Sequence, residues 1–265
     1  DYACVFGQMV DAWRAAWGHP TLPFVWVQLS SWTGNWGFDD LPCVEFYCPV
    51  ISRIRLAQAD VAGVSPDAAA PVRANVAMAV SFDFGDNQAH GVHSRYKSEP
   101  ARRLALQLLH TAFPSELKGR EYSGPLVSSV EVSGPGRVEV RLSHATGGLF
   151  FQNTTECETQ YSKRCCGVDS SVHGVVLGRV CTAQNVTDCA IPHDDKTVFL
   201  ATFSVQGQAL VATWNATAGG PDARWLDYSL TDFPQCAVVN GEGIALGPFG
   251  PIAVASKASE LNKAR

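Results

Sequence analysis

The sequence predicts an α/β unit followed by an antiparallel β domain, because its hydrophobic pattern changes period once along the chain. Up to residue 118 the apolar segments follow the order helix, strand, helix, strand, helix, the alternation of a parallel sheet covered by helices. From 119 to 265 apolar and polar residues alternate around glycine turns, the pattern of half-buried strands in hairpins. With 265 residues, 46% of them hydrophobic, the chain can bury one large core or two modest ones. The expected boundary, Ser115 to Pro125, is polar and ends in the breaker Gly124-Pro125.

In the first part Val5, Met9, Trp13 and Trp17 lie four apart, which predicts an amphipathic helix over residues 1–18, stopped by Gly18-His19-Pro20. Pro23 to Leu29 is almost continuously apolar, as in a strand buried on both faces of a parallel sheet. A loop from Trp32 to Pro49, rich in Trp, Gly and Asp, holds Cys43 and Cys48. Residues 50–60 read as a second helix on which Arg55 and Gln58 look like surface residues. Residues 75–83 read as a second buried strand, followed by a polar loop from Gly85 to Tyr96. A third helix from Ser98 to Phe113 points Leu104, Leu108 and Leu109 inward. Two such strands do not make a stable sheet with helices on both faces, so the parallel sheet is expected to be partial.

In the second part Val130 to Ser133 and Arg137 to Leu142 flank Gly134-Pro135-Gly136, a hairpin signal. Val198 to Phe203 and Ala209 to Trp214 flank Gln206-Gly207 in the same way. The expected product is a β-sandwich-like domain.

Lys and Arg number 20 against 25 Asp and Glu, and no basic run occurs, so the electrostatic footprint of a nucleic-acid binder is missing. No segment approaches the roughly 20 apolar residues of a membrane span. Nine cysteines, at 4, 43, 48, 157, 165, 166, 181, 189 and 236, suggest an oxidising compartment. Three glycosylation sequons begin at Asn153, Asn185 and Asn215, in the half that holds six of the cysteines. The expected setting is the secreted or lysosomal one. No Cys-x-x-Cys pair occurs, so disulfides are expected rather than zinc, with no metal and no cofactor. Nine is odd, which leaves at least one cysteine free or paired outside the chain. The chain starts at Asp1 without initiator Met or signal region, so an upstream portion is expected to have been removed.

The chemistry-bearing segment is Ser81 to Lys97. It follows a predicted strand, where open α/β sheets place their catalytic loops, and it carries Asp83, Asp86, His90 and His93. A histidine there suits a general base, because its pKa lies near working pH. The plain alternative is a set of solvated loop residues. His90 and His93 have the spacing of metal ligands on a helix, but Gly91 lies between them and no third ligand follows. Trp26, Trp32 and Trp36 read as a sugar platform or as ordinary packing.

Four blocks in order, Val10-Asp-Ala-Trp-Arg14, Leu22 to Leu29, Ala77 to Asp83 and His93 to Leu106, resemble the later part of the sialate O-acetylesterases. These are serine esterases of the SGNH type, with a flavodoxin-like sheet. Cys165-Cys166 and Phe233-Pro-Gln-Cys236 extend the resemblance into the second half. The resemblance implies removal of O-acetyl groups from sialic acids, with His93 as the base that deprotonates a serine and later protonates the leaving alcohol. Arg95 and Lys97 match the flanking basic residues of the family, which are structural. Ser94 and Tyr96 depart from it, standing where Pro and Asn or Asp are usual. The family's acid lies three residues before its histidine, and here that position is His90. Asp86 is the nearest acid upstream and the candidate to orient His93, with Asp83, or no acid at all, left open.

The family's nucleophile comes from a Gly-Glu-Ser or Gly-Asp-Ser block, and neither tripeptide occurs in this sequence. Ser30 and Ser31 read as ordinary loop serines, since Leu29-Ser30-Ser31-Trp32 has no small residues for a strained elbow. The resemblance therefore implies a carboxyl-terminal portion whose serine lies on a missing amino-terminal portion. Cys4 is the candidate for a disulfide to that portion, against a free buried thiol. The alternative function is a non-catalytic secreted glycoprotein that keeps an esterase-like fold and binds glycan or protein.

Overall fold

A computed structural model describes residues 2–31, 50–66, 72–85, 93–153, 175–189, 197–215, 223–230, 234 and 236–255. The first part contains α1 (Tyr2–Ala16), β1 (Phe24–Val27), α2 (Val50–Val61), β2 (Val76–Ala79) and α3 (Ser98–Ala112). β1 and β2 pair in parallel, from Phe24 beside Val76 to Val27 beside Ala79. Both strands are shorter than their apolar runs, and Val27 is exposed, so β1 is not buried on both faces.

The helices turn faces inward that the apolar spacing does not predict. Of the expected stripe, Val5, Trp13 and, just past the end of α1, Trp17 are exposed, Val5 and Trp17 each by 65%, while Met9 is half-buried. The buried face is Gly7, Val10 and Arg14, while Phe6 meets Trp26 edge-on at 5.0 Å. Arg14 sets this rotation, because its guanidinium reaches inward to donate to the carbonyls of Leu22 at 2.7 Å and Ala74 at 2.8 Å. On α3 the buried residues are Pro100, Arg103, Leu106 and Gln107, while Leu104 and Leu109 are half-buried and Leu108 is exposed. A charged residue again centres the inward face, since Arg103 is drawn to Asp83.

The second part contains β3 (Leu126–Gly134), β4 (Arg137–Ser143), β5 (Leu149–Asn153), β6 (Val175–Cys181), β7 (Val198–Gln206), β8 (Ala209–Thr213), β9 (Trp225–Tyr228), β10 (Cys236–Asn240) and β11 (Phe249–Ala253). Both hairpins form where the glycine turns place them, β3 with β4 and β7 with β8. Gly136 and Gly207 take φ of +62° and +64°, values a side chain resists. The strand order is β11-β9-β6-β7-β8-β4-β3, seven strands in one antiparallel sheet. That sheet curls until its ends meet: Val132 N donates to Ala255 O at 3.0 Å, and Ala255 N donates to Val130 O at 2.9 Å.

The expected sandwich is thus a nearly barrel-like sheet, crossed by the two-stranded ribbon of β5 and β10. Leu149 and the β10 residues Cys236 to Val239 pack into the same core as Phe203, Leu210 and Leu226. Tyr228 lies in that core, stacked on Phe249 at 5.4 Å, and its hydroxyl accepts from Val238 N at 2.9 Å.

A disulfide joins Cys181 to Cys189, and Cys236 is also disulfide-bonded. Cys4 is free and exposed, so it is not a buried thiol. Cys43, Cys48, Cys157, Cys165 and Cys166 lie outside the described residues. Among the described residues no helix is long and apolar enough to cross a membrane.

The parts meet closely. Phe82, just past β2, is fully buried in the core of the β domain. Leu106 and Leu117 pack with Ile244. Gly124 fits because a Cβ there would lie 1.9 Å from the carbonyl oxygen of Ala245.

Candidate active site

The carboxyl ends of β1 and β2 lie side by side, and buried polar side chains of α2 hold the first of them. Ser52, Arg55 and Gln58 are buried and recur every three residues, so one polar stripe of α2 faces the sheet. Arg55, fully buried, donates to the carbonyls of Leu29 at 2.9 Å and Ser30 at 3.1 Å. Gln58 Oε1 accepts from Leu29 N at 2.8 Å. The surface reading of Arg55 and Gln58 is therefore corrected: the unmet backbone groups past a short strand draw these side chains inward. The three-residue spacing from Ser52 was the available signal, and charge concealed it.

The serines of this end are spent on the same network. Ser31 is fully buried and its hydroxyl donates to the carbonyl of Phe82. Ser81 Oγ donates to Gln28 O at 2.6 Å and lies 3.2 Å from Ser30 Oγ. Ser30 and Ser31 thus fasten the loop after β1 to the loop after β2.

Asp83 is buried in a bidentate pair with Arg103, Oδ1 to Nη1 and Oδ2 to Nη2, both at 2.8 Å. Its charge is used to anchor α3. His93 lies at the far end of the same connection, five residues before α3, with an exposed side chain. Ser94 beside it is buried and its hydroxyl accepts from Tyr96 N at 3.1 Å. Asp86 and His90 lie outside the described residues, as do Trp32 and Trp36. Trp26 is buried against Phe6 and Phe24, which makes it core.

The solved structures supply the comparison. This chain has the fold of part of a carbohydrate acetylesterase from Xanthomonas citri. The two superpose with a TM-score of 0.62 at 18% identity, over 94% of this chain and 45% of that one. This chain therefore spans less than half the length of the enzyme it matches. No family model matches the chain, and no curated protein matches it in sequence.

A second polar cluster, missed in the sequence, sits where the parts join. Glu121 accepts from Thr146 Oγ1 at 2.7 Å and from the backbone N of Tyr122 and Ser123, and lies 2.9 Å from His144 Nδ1. Burial pushes the Glu121 carboxyl up, but the donors of Thr146, His144 and Ser123 outweigh it and hold the pKa below its ordinary value. His110 stacks on Tyr122 with ring centroids 3.5 Å apart. Desolvation, then repulsion from His144, lowers its pKa below the ordinary 6.5. Beside this cluster a cavity of about 180 Å³ runs along β2, between Val76–Val80 and Ile244–Phe249. Neither His93 nor the serines of the strand ends line it.

Proposed function

We propose that this chain is the histidine-bearing portion of a carbohydrate O-acetylesterase acting on sialic acids, completed by a polypeptide that carries the serine. The observation that supports the reading most is the fold shared with an acetylesterase over 94% of the chain. His93 then stands on the connection past β2, where such sheets carry catalytic groups.

In the proposed reaction His93 takes the serine proton as the hydroxyl oxygen attacks the acetyl carbonyl carbon. The tetrahedral oxyanion collapses, the sugar oxygen leaves, and the imidazolium returns its proton to that oxygen. Water, deprotonated by the same imidazole, then attacks the acetyl carbon; the second tetrahedral intermediate collapses to acetate as the serine oxygen leaves and takes the proton back from the imidazolium. Asp86 orients His93 in this scheme, since Asp83 anchors α3.

The partner portion carries the nucleophile, because the chain holds no Gly-Glu-Ser or Gly-Asp-Ser block. A disulfide through the exposed Cys4 suits its attachment. The setting is secreted or lysosomal, with glycans on Asn153, Asn185 and Asn215. The side chains of Asn185 and Asn215 are exposed, as modification requires, and an N-glycosidase should lower the mass of natural material stepwise.

The test is His93→Ala in the complete protein, assayed by acetate release from an O-acetylated sialoside. Turnover should fall about 10³-fold or more, the scale seen when a triad member goes. Activity near that of the unaltered protein would refute the assignment. A complete protein without turnover to lose would favour the non-catalytic glycoprotein.

A further inference from the structure

We propose that Arg103 is a positioning residue, through which the β domain sets the placement of His93. The inference rests on the reading of His93 as the base.

The guanidinium is 1% exposed and gathers acceptors from separate pieces of the chain. Nη1 donates to Val80 O at 3.0 Å and to Asp83 Oδ1, both at the carboxyl end of β2. Nη2 donates to Asp83 Oδ2 and, at 2.7 Å, to the carbonyl of Gly243 in the β domain. Its carbon lies 4.8 Å over the ring of Phe84. Only a planar fork can meet such a set at once, and a lysine cannot.

The carbonyl supplied by the β domain is itself held firmly. Asn240, 1% exposed, accepts through Oδ1 from Glu242 N at 3.2 Å and from Ile244 N at 3.1 Å. Its Nδ2 donates to Ser123 O at 2.9 Å and His144 O at 3.0 Å. Arg102, one residue before Arg103, donates to Glu242 O of the same turn at 3.1 Å. A rigid turn of the β domain therefore grips α3 at two successive arginines.

Residues 93–97 run without a break into α3, and both Ser94 and Pro100 are buried. The seating of α3 against Gly243 and Asp83 thus determines where the backbone of His93 starts. A buried ion pair adds little net stability over an apolar substitute of similar volume. What this one adds is orientation, and orientation is what a general base needs.

Arg103→Lys in the complete protein is the test, read by steady-state acetate release from an O-acetylated sialoside against pH. The expected result is a fall in kcat of up to about 100-fold with KM unchanged, the scale of a small misplacement, and a displaced acid limb of the pH profile. A structural role alone would lower thermal stability but leave kcat per folded site and the pH profile where they were. That outcome overturns the inference. Asp83→Asn keeps the side-chain shape and one acceptor oxygen, and it serves if the lysine variant does not fold. Failure of both to fold would assign the pair to folding and also overturn the inference. Turnover lost in His93→Ala but untouched in Arg103→Lys defeats this inference alone. Turnover surviving His93→Ala defeats the base assignment and this inference with it.

Discussion

The two halves of the molecule are held together by different forces. Inside the β domain Val138, Val140, Val180, Phe203, Leu210, Leu226 and Phe249 form a sealed apolar core. In the α/β half the corresponding cluster is Trp26, Ala59, Val61 and Met78. Much of that half's remaining interior is Arg14, Gln28, Ser31, Ser52, Arg55, Gln58, Ser81, Asp83 and Arg103. The β domain buries the pair Arg179 and Asp227 as well, so the contrast is one of proportion. Apolar burial stabilises without direction, whereas hydrogen bonds fix particular atoms at particular angles. Stability is therefore concentrated in one half and placement in the other. Phe82 and Arg103 couple them, the first by packing and the second by its bond to Gly243.

The largest expected effect lies in the β core. Phe203→Ala should destabilise by about 3–5 kcal/mol, the range for a sealed aromatic, measured by urea unfolding of the isolated chain. A loss below about 1 kcal/mol would show a core that collapses onto the gap, and the contrast between halves would fail.

Arg55→Ala should act more weakly and locally, leaving the carbonyls of Leu29 and Ser30 without their donor. A fully buried group so abandoned loses about 1–3 kcal/mol, and Leu29 and Ser30 are only half-buried, so the loss at each carbonyl should fall at or below the low end of that range. Amide exchange should quicken around Leu29 to Ser31 while β7 to β9 keep their protection. Equal quickening in both regions would mean that the halves unfold as one unit.

The smallest expected effect is at the junction. His110 has a lowered pKa in the folded state, so below the ordinary 6.5 the unfolded chain takes up that proton more readily and stability falls. Glu121 is also lowered, so its contribution is present above its ordinary pKa of 4.5 and is lost as pH falls further. Thermal unfolding between pH 7 and 5 should show the first decline. His110→Phe, which keeps a ring on Tyr122, should flatten it. An unchanged slope would remove His110 from that role.

The contrast also explains which features could be read in advance. The hairpins at Gly136 and Gly207 were legible, because a hairpin is a local event with its own turn chemistry. The closure of the sheet at Ala255 was not, since it pairs residues more than a hundred positions apart. Helix positions were legible from period, but helix faces were not. Arg14, Arg55 and Arg103 each turn a charged side inward, where backbone carbonyls or a carboxylate outbid the apolar stripe. The candidate site was legible in part for the same reason. His93 stands on the expected connection, while Asp83 reads as a possible acid until its guanidinium partner is seen.

Acetate release from an O-acetylated sialoside by residues 1–265 alone, and then after joining the polypeptide that carries a Gly-Asp-Ser or Gly-Glu-Ser block, asks whether the histidine and the serine come from separate portions. No release by the chain alone, turnover once joined, and its loss on His93→Ala is the predicted result. Measurable turnover by residues 1–265 with nothing added would contradict it.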